Sequence, residues 1–305
     1  MEALRCSSSG EGKVRNTNHG VGLMWRTKER FIGGSLTLPA SILIIFFWVI
    51  PLIILLVFSF FKVVPGGGFI PVFTFENYAK IFTDPFYLTI LYRTLILAIV
   101  VTILALIIGY PVAYKLARVN PRKASFFLVL IIVPFLTAVI FRAFGLIYVL
   151  GNRGVINSFL RYIGVGGIKL IWNWTGVVIG FLNTLLPYAI LSLYSCITQV
   201  DRSLEEAAYT LGANKLRTTW HVVLPLIKSG IGTGAIFVFA IVMGTFEVPA
   251  ILGGMRSGIV ESVLIQQQIA FVHYPMASAL SFILLLVVAT VVAILMKILG
   301  GEIKL

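Results

Sequence analysis

The stretch "RSLEEAAYTLGANKLRTTWHVVLPL", residues 202–226, is a polar segment between two long apolar runs. Ser203 and Glu206 have the S-x-x-E spacing of a capping box, which begins a helix by satisfying its first backbone amides. Gly212 can adopt the left-handed conformation that ends a helix, and Asn214 has a side chain suited to capping the next one. The sequence therefore predicts two short helices joined by a bend.

The composition of the chain excludes an ordinary soluble domain. The 305 residues are 59% hydrophobic and 11% charged, with a net charge of +13. Soluble domains carry about 25% charged residues, so most of this surface must face lipid. The basic residues are spread over several loops, which favours the positive-inside bias of membrane proteins over nucleic-acid binding. Cys6 and Cys196 have the spacing of neither a metal site nor a disulfide framework, and we expect no metal and no cofactor.

Apolar runs of about 20 residues mark helices that span a membrane. Six such runs lie at 37–61, 91–114, 125–150, 175–198, 229–252 and 276–299. We therefore expect an all-α, polytopic membrane protein with six transmembrane helices. Pro225 marks the point at which the polar segment turns into the fifth span.

Lys and Arg residues gather in the segments that would share one side of the membrane with both termini. They are Arg26, Lys28 and Arg30, then Lys115, Arg118, Arg122 and Lys123, then Arg202, Lys215, Arg217 and Lys228, and finally Lys297 and Lys304. Cytoplasmic loops are enriched in such residues, so both termini are predicted to be cytoplasmic. Arg153, Arg161 and Lys169 oppose this assignment. The stretch at 151–167 that contains the first two is expected to form a short interfacial helix.

Three segments follow from this pattern. Residues 1–30 are predicted to form a disordered cytoplasmic tail, because the first 23 are polar and rich in Ser, Gly and Asn. Translation from Met1 and translation from Met24 are equally compatible with the sequence. Residues 31–90 hold the first transmembrane helix and an external loop, in which a glycine turn precedes a small amphipathic helix. Residues 91–300 form the transmembrane core.

The polar segment resembles the EAA loop of the permease subunits of bacterial ABC importers, and we call residues 202–226 the EAA segment. The loop's pattern is E-A-A, three residues, G, nine residues and I-x-L-P. The matching positions are Glu206, Ala207, Ala208, Gly212, Val222, Leu224 and Pro225. The one departure is Val222, where isoleucine is usual. Residues 91–300 resemble the type I, MetI-like transmembrane domain, and the stretches 75–98 and 244–254 are similar to the spermidine/putrescine permease group.

This resemblance implies a permease that moves a small polar organic solute, preferably polyamine-like, across a bacterial inner membrane. Its implied partners are a second permease, identical or homologous, a periplasmic substrate-binding protein, and a cytoplasmic ATPase dimer that docks on the EAA segment. The sequence contains no G-x-x-x-x-G-K-[ST] phosphate loop, so ATP hydrolysis would belong to the partner and the chain is not expected to be an enzyme. Glu206 would cap a helix and form interface salt bridges, and Gly212 would allow the bend.

Two charged residues stand out because they lie well inside predicted spans, away from the ends, where charges are costly and usually functional. Arg142 is in the third span and Glu247 is in the fifth. They could pair with each other, or they could line the translocation path, where Glu247 would attract a cation and Arg142 an anionic or zwitterionic ligand. Pro249 and the two glycines that follow predict an irregular segment, which is tolerated where backbone lines a water-filled cavity.

Two other classes of protein compete with this interpretation. A self-contained secondary transporter or channel would need its own coupling site, often on broken helices in two repeats, and the sequence has no evident repeat. A membrane enzyme would need a catalytic motif, and neither H-E-x-x-H nor G-x-S-x-G is present. The secondary transporter or channel is the main alternative, but it leaves the pattern of the EAA segment unexplained.

Overall fold

The computed structural model describes residues 42–64, 66–164, 166–254 and 260–299. The predicted tail at 1–30, the beginning of the first predicted span at 37–41, and the choice between Met1 and Met24 lie outside these residues. So do Cys6 and Lys304.

Helices dominate the described part of the chain. In order they are α1 (Ile42–Ser59), α2 (Glu76–Thr83), α3 (Pro85–Arg118), α4 (Pro121–Ile132), α5 (Val139–Leu150), α6 (Val155–Tyr162), α7 (Trp174–Ile197), α8 (Arg202–Thr210), α9 (Lys215–Thr218), α10 (Leu224–Leu226), α11 (Lys228–Gly244), α12 (Glu247–Leu252), α13 (Glu261–Ala270) and α14 (Tyr274–Leu299). Two short strands, β1 (Phe61–Val63) and β2 (Phe69–Phe73), form an antiparallel hairpin.

The chain divides into two compact units at Ile54 and Leu55, within α1. The described part of the first unit is the apolar beginning of this helix, whose side chains are mostly exposed. The second unit contains all the other elements.

Five candidate membrane spans occur among the described residues, or six if one bent pair of helices counts as a span. The five are α1, α3, α5 together with α6, α7 and α14, and the bent pair is α9–α10 with α11. The prediction of an all-α polytopic membrane protein is therefore confirmed. The second predicted span is longer than expected because Pro85 occupies the first turn of α3 and Asp84 Oδ1 accepts a hydrogen bond from the Phe86 N–H at 2.9 Å.

The third predicted span, 125–150, is wrong as a single continuous helix. α4 ends at Ile132, a 3₁₀ turn covers Val133–Leu136, and α5 begins only at Val139. The cause is Pro134, which cannot donate a backbone hydrogen bond and whose ring clashes with the preceding helical turn. The expected short helix after this region is present as α6, and its place relative to the membrane surface stays a prediction.

The fifth predicted span is also interrupted, as the irregular segment around Pro249 had suggested. The break lies earlier than expected, because α11 ends at Gly244 and α12 begins at Glu247. Pro249 is the third residue of α12, near a helix start where proline is tolerated. Gly254 follows with a φ of +68°, a conformation that glycine adopts at little cost.

The segment between α1 and α3 contains the predicted glycine turn and amphipathic helix, but the turn belongs to a hairpin that was not predicted. Gly66, Gly67 and Gly68 all have positive φ values, between +95° and +104°. The Gly68 N–H donates to the Val272 carbonyl at 3.0 Å, so the hairpin is tied to the turn between α13 and α14.

The core lies where α3, α7 and α11 pack together. Small residues allow α7 and α11 to approach closely: a Cβ added at Gly230 would lie 2.6 Å from Cys196 Sγ. The Ser192 hydroxyl, on the same face of α7, donates to the Gly230 carbonyl at 2.9 Å. Such small-residue contacts are typical of helix pairs in membranes, and they make α7 and α11, which flank the EAA segment, a tightly packed pair.

Candidate functional site

The first helix of the EAA segment, α8, begins with a cap that differs from the predicted one. Asp201 is the capping residue, and its Oδ1 accepts a hydrogen bond from the Ser203 N–H at 3.0 Å. Bonds from Ser203, chiefly from its backbone N–H, lower the pKa of the Asp201 carboxyl. The predicted capping box of Ser203 and Glu206 is therefore wrong, because helix α8 starts one residue before Ser203.

The end of α8 has the predicted glycine. Gly212 has a φ of +85°, and its N–H donates to the Tyr209 carbonyl at 2.9 Å. The Ala213 N–H reaches back to the Ala208 carbonyl at 3.0 Å. This pair of bonds is the Schellman motif, which satisfies the last carbonyls of a helix and reverses the chain.

The second half of the EAA segment begins as predicted. Asn214 Oδ1 accepts from the Arg217 N–H at 2.8 Å and caps α9. A π-helical turn, Thr219–Val223, leads into α10. The helical stretch Lys215–Leu226 meets α11 at an angle of 74°. Pro225 thus lies beside the bend, where the sequence placed the entry to the next span.

Glu205, which the sequence analysis did not select, fixes α8 to the end of α3. Its side chain is buried, and one carboxylate oxygen forms an ion pair with Arg118 Nη2. The other oxygen accepts a hydrogen bond from the Tyr114 hydroxyl. Arg118 also donates to the Val200 carbonyl at 3.2 Å, just before α8. These bonds connect the two halves of the chain through a buried, charge-assisted cluster.

A second layer of contacts surrounds this cluster. Arg202 Nη2 donates to the Arg118 carbonyl at 2.8 Å, and the Arg118 guanidinium lies 5.8 Å from the centre of the Tyr114 ring. Below it, Leu116 packs in one apolar cluster with Val223 and Ile227. The EAA segment is therefore fixed to the last turns of α3 by polar bonds and by apolar packing.

The opposite side of the EAA segment is open. Glu206 and Ala207 are exposed and Ala208 is half-buried. Among the exposed large apolar side chains of the EAA segment, three are more than 60% accessible: Leu211 88%, Leu216 71% and Trp220 67%. These three side chains are available for contact with another protein, because they belong to a polar segment between spans and not to an apolar run. The docking role of the matched EAA positions stays a prediction.

Arg142 and Glu247 come from neighbouring elements, since α5 packs against α12. They do not form an ion pair: no oxygen–nitrogen distance below 4.0 Å joins them, and the two salt bridges among the described residues are elsewhere. Mutual pairing, one of the two sequence-based alternatives, is therefore wrong. Glu247 begins α12 immediately after the break in the helix at Thr245 and is half-buried.

The guanidinium of Arg142 is partly enclosed and incompletely bonded. Its Nε and Nη1 atoms are buried and make no hydrogen bond to the described residues. A buried charged donor without a partner is costly. The Arg142 guanidinium is therefore a candidate to donate a hydrogen bond to a ligand.

The residue that sequence reasoning missed left a weak signal. Tyr114 and Arg118 are four residues apart, so they share one face of a helix. A buried carboxylate needs such donors. The carboxylate that uses them is Glu205, which directly precedes Glu206, the residue that matches the E-A-A pattern. Nothing in the local pattern shows which of the two adjacent carboxylates turns inward.

Comparison with known proteins places this arrangement in a family. The family model "Binding-protein-dependent transport system inner membrane component" matches residues 105–304. The spermidine/putrescine transport system permease protein PotB of Salmonella typhimurium (strain SL1344) is 35% identical over 225 residues, which are 73% of this chain and 78% of that protein. PotB of Haemophilus influenzae is 33% identical over 251 residues, 82% of this chain and 87% of that one.

A solved structure shares the fold. It is the crystal structure of the bacterial alginate ABC transporter in complex with an alginate pentasaccharide-bound periplasmic protein. The TM-score is 0.72 at 16% identity, with 89% of this chain and 95% of that chain covered. The helical fold, the EAA segment and these relatives agree, and the chain belongs to the family of binding-protein-dependent transport system inner membrane components, the permease subunits of ABC importers.

Proposed function

We propose that this permease imports a small polar organic solute, preferably a polyamine, using ATP hydrolysed by a separate cytoplasmic subunit that docks on the EAA segment. A second permease completes the pathway, and a periplasmic binding protein delivers the solute. Both termini lie in the cytoplasm. The two PotB relatives support the solute class, and the alginate transporter, with its bound periplasmic protein, supports the delivery step.

The observation that carries this proposal is the two-sided geometry of the EAA segment. One side presents exposed apolar residues, including Leu211 beside the glycine turn and Trp220 in the π-helical turn. The other side is anchored to α3 through Glu205 and to α11 through the bend at Ile227. A rigid element that is open to a partner on one side and bonded to two spans on the other can convert movement of the partner into movement of the spans.

Glu247 is the proposed cation contact on the solute path. It stands at a break between two helices, where irregular backbone is tolerated beside water. Its carboxylate has no cationic partner among the described residues. A carboxylate that is not neutralised by the protein attracts a positively charged solute.

The test uses the complete transporter, purified from cells that express the permease together with the ATPase and the binding protein encoded by neighbouring genes. Gly212→Asp and Glu206→Lys are expected to abolish solute uptake while leaving the permease in the membrane. In the same preparations, association of the ATPase should be lost. Normal transport by both variants would refute the docking role, and uptake by this chain without any ATPase would refute the proposed function.

A further inference from the structure

A groove of about 530 Å³ lies between the C-terminal end of α3 and the face of α4. Val112 and Leu116 line it from α3, Val119 from the residue that follows α3, and Phe127, Leu130 and Ile131 from α4. The α4 residues are spaced at i, i+3 and i+4, so they form a single helix face. Apart from Lys115, both walls are apolar, and the α3 wall from Pro111 to the end of the helix is roughly 10 Å long at 1.5 Å per residue.

The groove lies beside a short connection, because only residues 119–120 separate α3 from α4. α3 contains Pro111, which removes one helical hydrogen bond next to the groove. Ala124 is the single buried residue of α4, and the other side chains of α4 are exposed or half-buried. The face of α4 that lines the groove therefore lacks the close packing that α7 and α11 give to each other.

Positive charge lies within this groove and beside the connection between α3 and α4. Lys115 lines it directly, and Arg122 and Lys123 lie in the first turn of α4. None of the three forms an ion pair with the described residues. Arg118, between them, is already neutralised by Glu205. The start of α4 has no side-chain cap, so its free backbone amides add partial positive charge at the same place.

We propose that this groove binds one anionic phospholipid, with an acyl chain between α3 and α4 and the headgroup phosphate held by Lys115 and Lys123. The ligand must be apolar along its length and negative at one end, which is the chemistry of a phosphatidylglycerol-type lipid. Basic pockets between membrane helices bind such headgroups. An apolar membrane helix could fill the apolar walls by packing alone, but it would leave Lys115 and Lys123 without an anionic partner, whereas an anionic lipid supplies both the apolar chain and the negative charge.

The proposal rests on the proposed function for the choice of leaflet. The end of α3 that bears Lys115 also bears Arg118, which is bonded to Glu205 of the EAA segment. The lipid is therefore in the leaflet on the side of the ATPase. Leu116 lines the groove and also packs in the cluster beneath the EAA segment with Val223. An acyl chain in the groove would support the helix on which the EAA segment is fixed.

The test measures lipid retained by the purified transporter complex. Delipidated complex is titrated with phosphatidylglycerol or with phosphatidylethanolamine of the same acyl chains, and bound lipid is counted by native mass spectrometry. Wild-type protein is expected to bind phosphatidylglycerol at least tenfold more tightly than phosphatidylethanolamine. Lys115→Gln with Lys123→Gln should abolish that preference, whereas the control Arg153→Gln with Lys169→Gln, which removes two cations elsewhere, should preserve it.

Val112→Trp tests the acyl-chain part of the site without altering its charge. The larger side chain should fill the groove and weaken phosphatidylglycerol binding at least tenfold. Equal binding of the two lipids by wild type would overturn the proposal, as would full binding by Val112→Trp.

A photo-reactive side chain at position 130 adds a test of the occupant. A lipid adduct supports the proposal, and an adduct to a second permease chain overturns it by showing a protein in the groove. Because none of these measurements requires ATP or solute, failure of the lipid site is distinguishable from failure of the proposed function, which is judged by uptake and ATPase association.

Discussion

Glu205 and Glu206 are adjacent carboxylates with opposite surroundings. Glu205 is 5% exposed and bonded to Arg118 and Tyr114, whereas Glu206 is exposed. Glu205→Gln would leave the guanidinium of Arg118 without its counter-charge, and breaking a buried pair costs about 3 kcal/mol. We expect a clear loss of stability for this variant, measured as a lower unfolding temperature of the permease in detergent.

The matched control is Glu206→Gln, which removes a solvated charge and should change the free energy of unfolding by less than about 0.5 kcal/mol. Its effect, if Glu206 contacts the ATPase, should appear in uptake alone. Equal unfolding temperatures for the two variants would contradict the inward placement of Glu205.

Gly212 has a left-handed backbone conformation, which is unfavourable for most other residues. At its φ of +85°, a Cβ costs roughly 1 kcal/mol because of its contact with the carbonyl oxygen. We expect Gly212→Ala to open the turn about fivefold more often, which hydrogen exchange of residues 207–216 would detect. Space is not the cause, because nothing lies within 4 Å of the added atom.

Gly212→Asn is the control for this cause, since asparagine tolerates the left-handed conformation better than alanine. It should restore most of the protection lost in Gly212→Ala. Equal loss in both variants would indicate that the side chain, and not the backbone, disturbs the turn.

At the scale of elements, the exposed apolar side chains of the EAA segment make a specific prediction about binding. Leu211 is 88% exposed beside the glycine turn, and burying a leucine contributes about 1.5–3 kcal/mol. Leu211→Ser should therefore weaken association with the ATPase subunit at least tenfold. The measurement is the affinity of the detergent-solubilised permease for the isolated ATPase.

Tyr162→Ser provides the matched control. Tyr162 is 89% exposed and lies at the end of α6, outside the EAA segment, so its loss should leave ATPase affinity unchanged. A similar decrease for both variants would point to general damage and would contradict a docking surface at Leu211.

The helical elements were predictable from the sequence where one signal dominated. α7 and α14 match their apolar runs to within two residues at either end, because long runs without a breaker permit little else. Pro134 and Thr245 show where the same reasoning fails. A run of apolar residues reports affinity for lipid, and it does not report whether the backbone hydrogen bonds continue through every turn.

The candidate site was predictable at its turns and unpredictable at its interior. Gly212 and Asn214 act locally, through a required φ value and a short side-chain cap, so their roles could be inferred from neighbouring residues. The Glu205–Arg118 pair joins residues 87 positions apart. A single sequence contains no signal for such a contact, and Glu205 could be found only once α3 and α8 were in place.

At the scale of the whole molecule, the position of Glu247 decides whether the permease itself selects solute charge. Glu247 has no salt-bridge partner among the described residues and stands at the break between α11 and α12. Glu247→Gln keeps the size of the side chain but removes its charge. If the carboxylate contacts the solute, uptake of putrescine should fall about tenfold, which corresponds to about 1.4 kcal/mol.

The measurement is uptake by the complete transporter in proteoliposomes, with the binding protein saturating. Glu76→Gln is the control, because Glu76 is an exposed carboxylate near Lys62 at 3.5 Å in the segment before α3, and its removal should leave the rate unchanged. Arg142→Gln distinguishes the effect of the arginine from that of Glu247. It should preserve or increase uptake of a cation, since it removes a repelling positive charge from the neighbouring helix. Unchanged uptake by Glu247→Gln would exclude this carboxylate from the path and leave selection of charge to the binding protein alone.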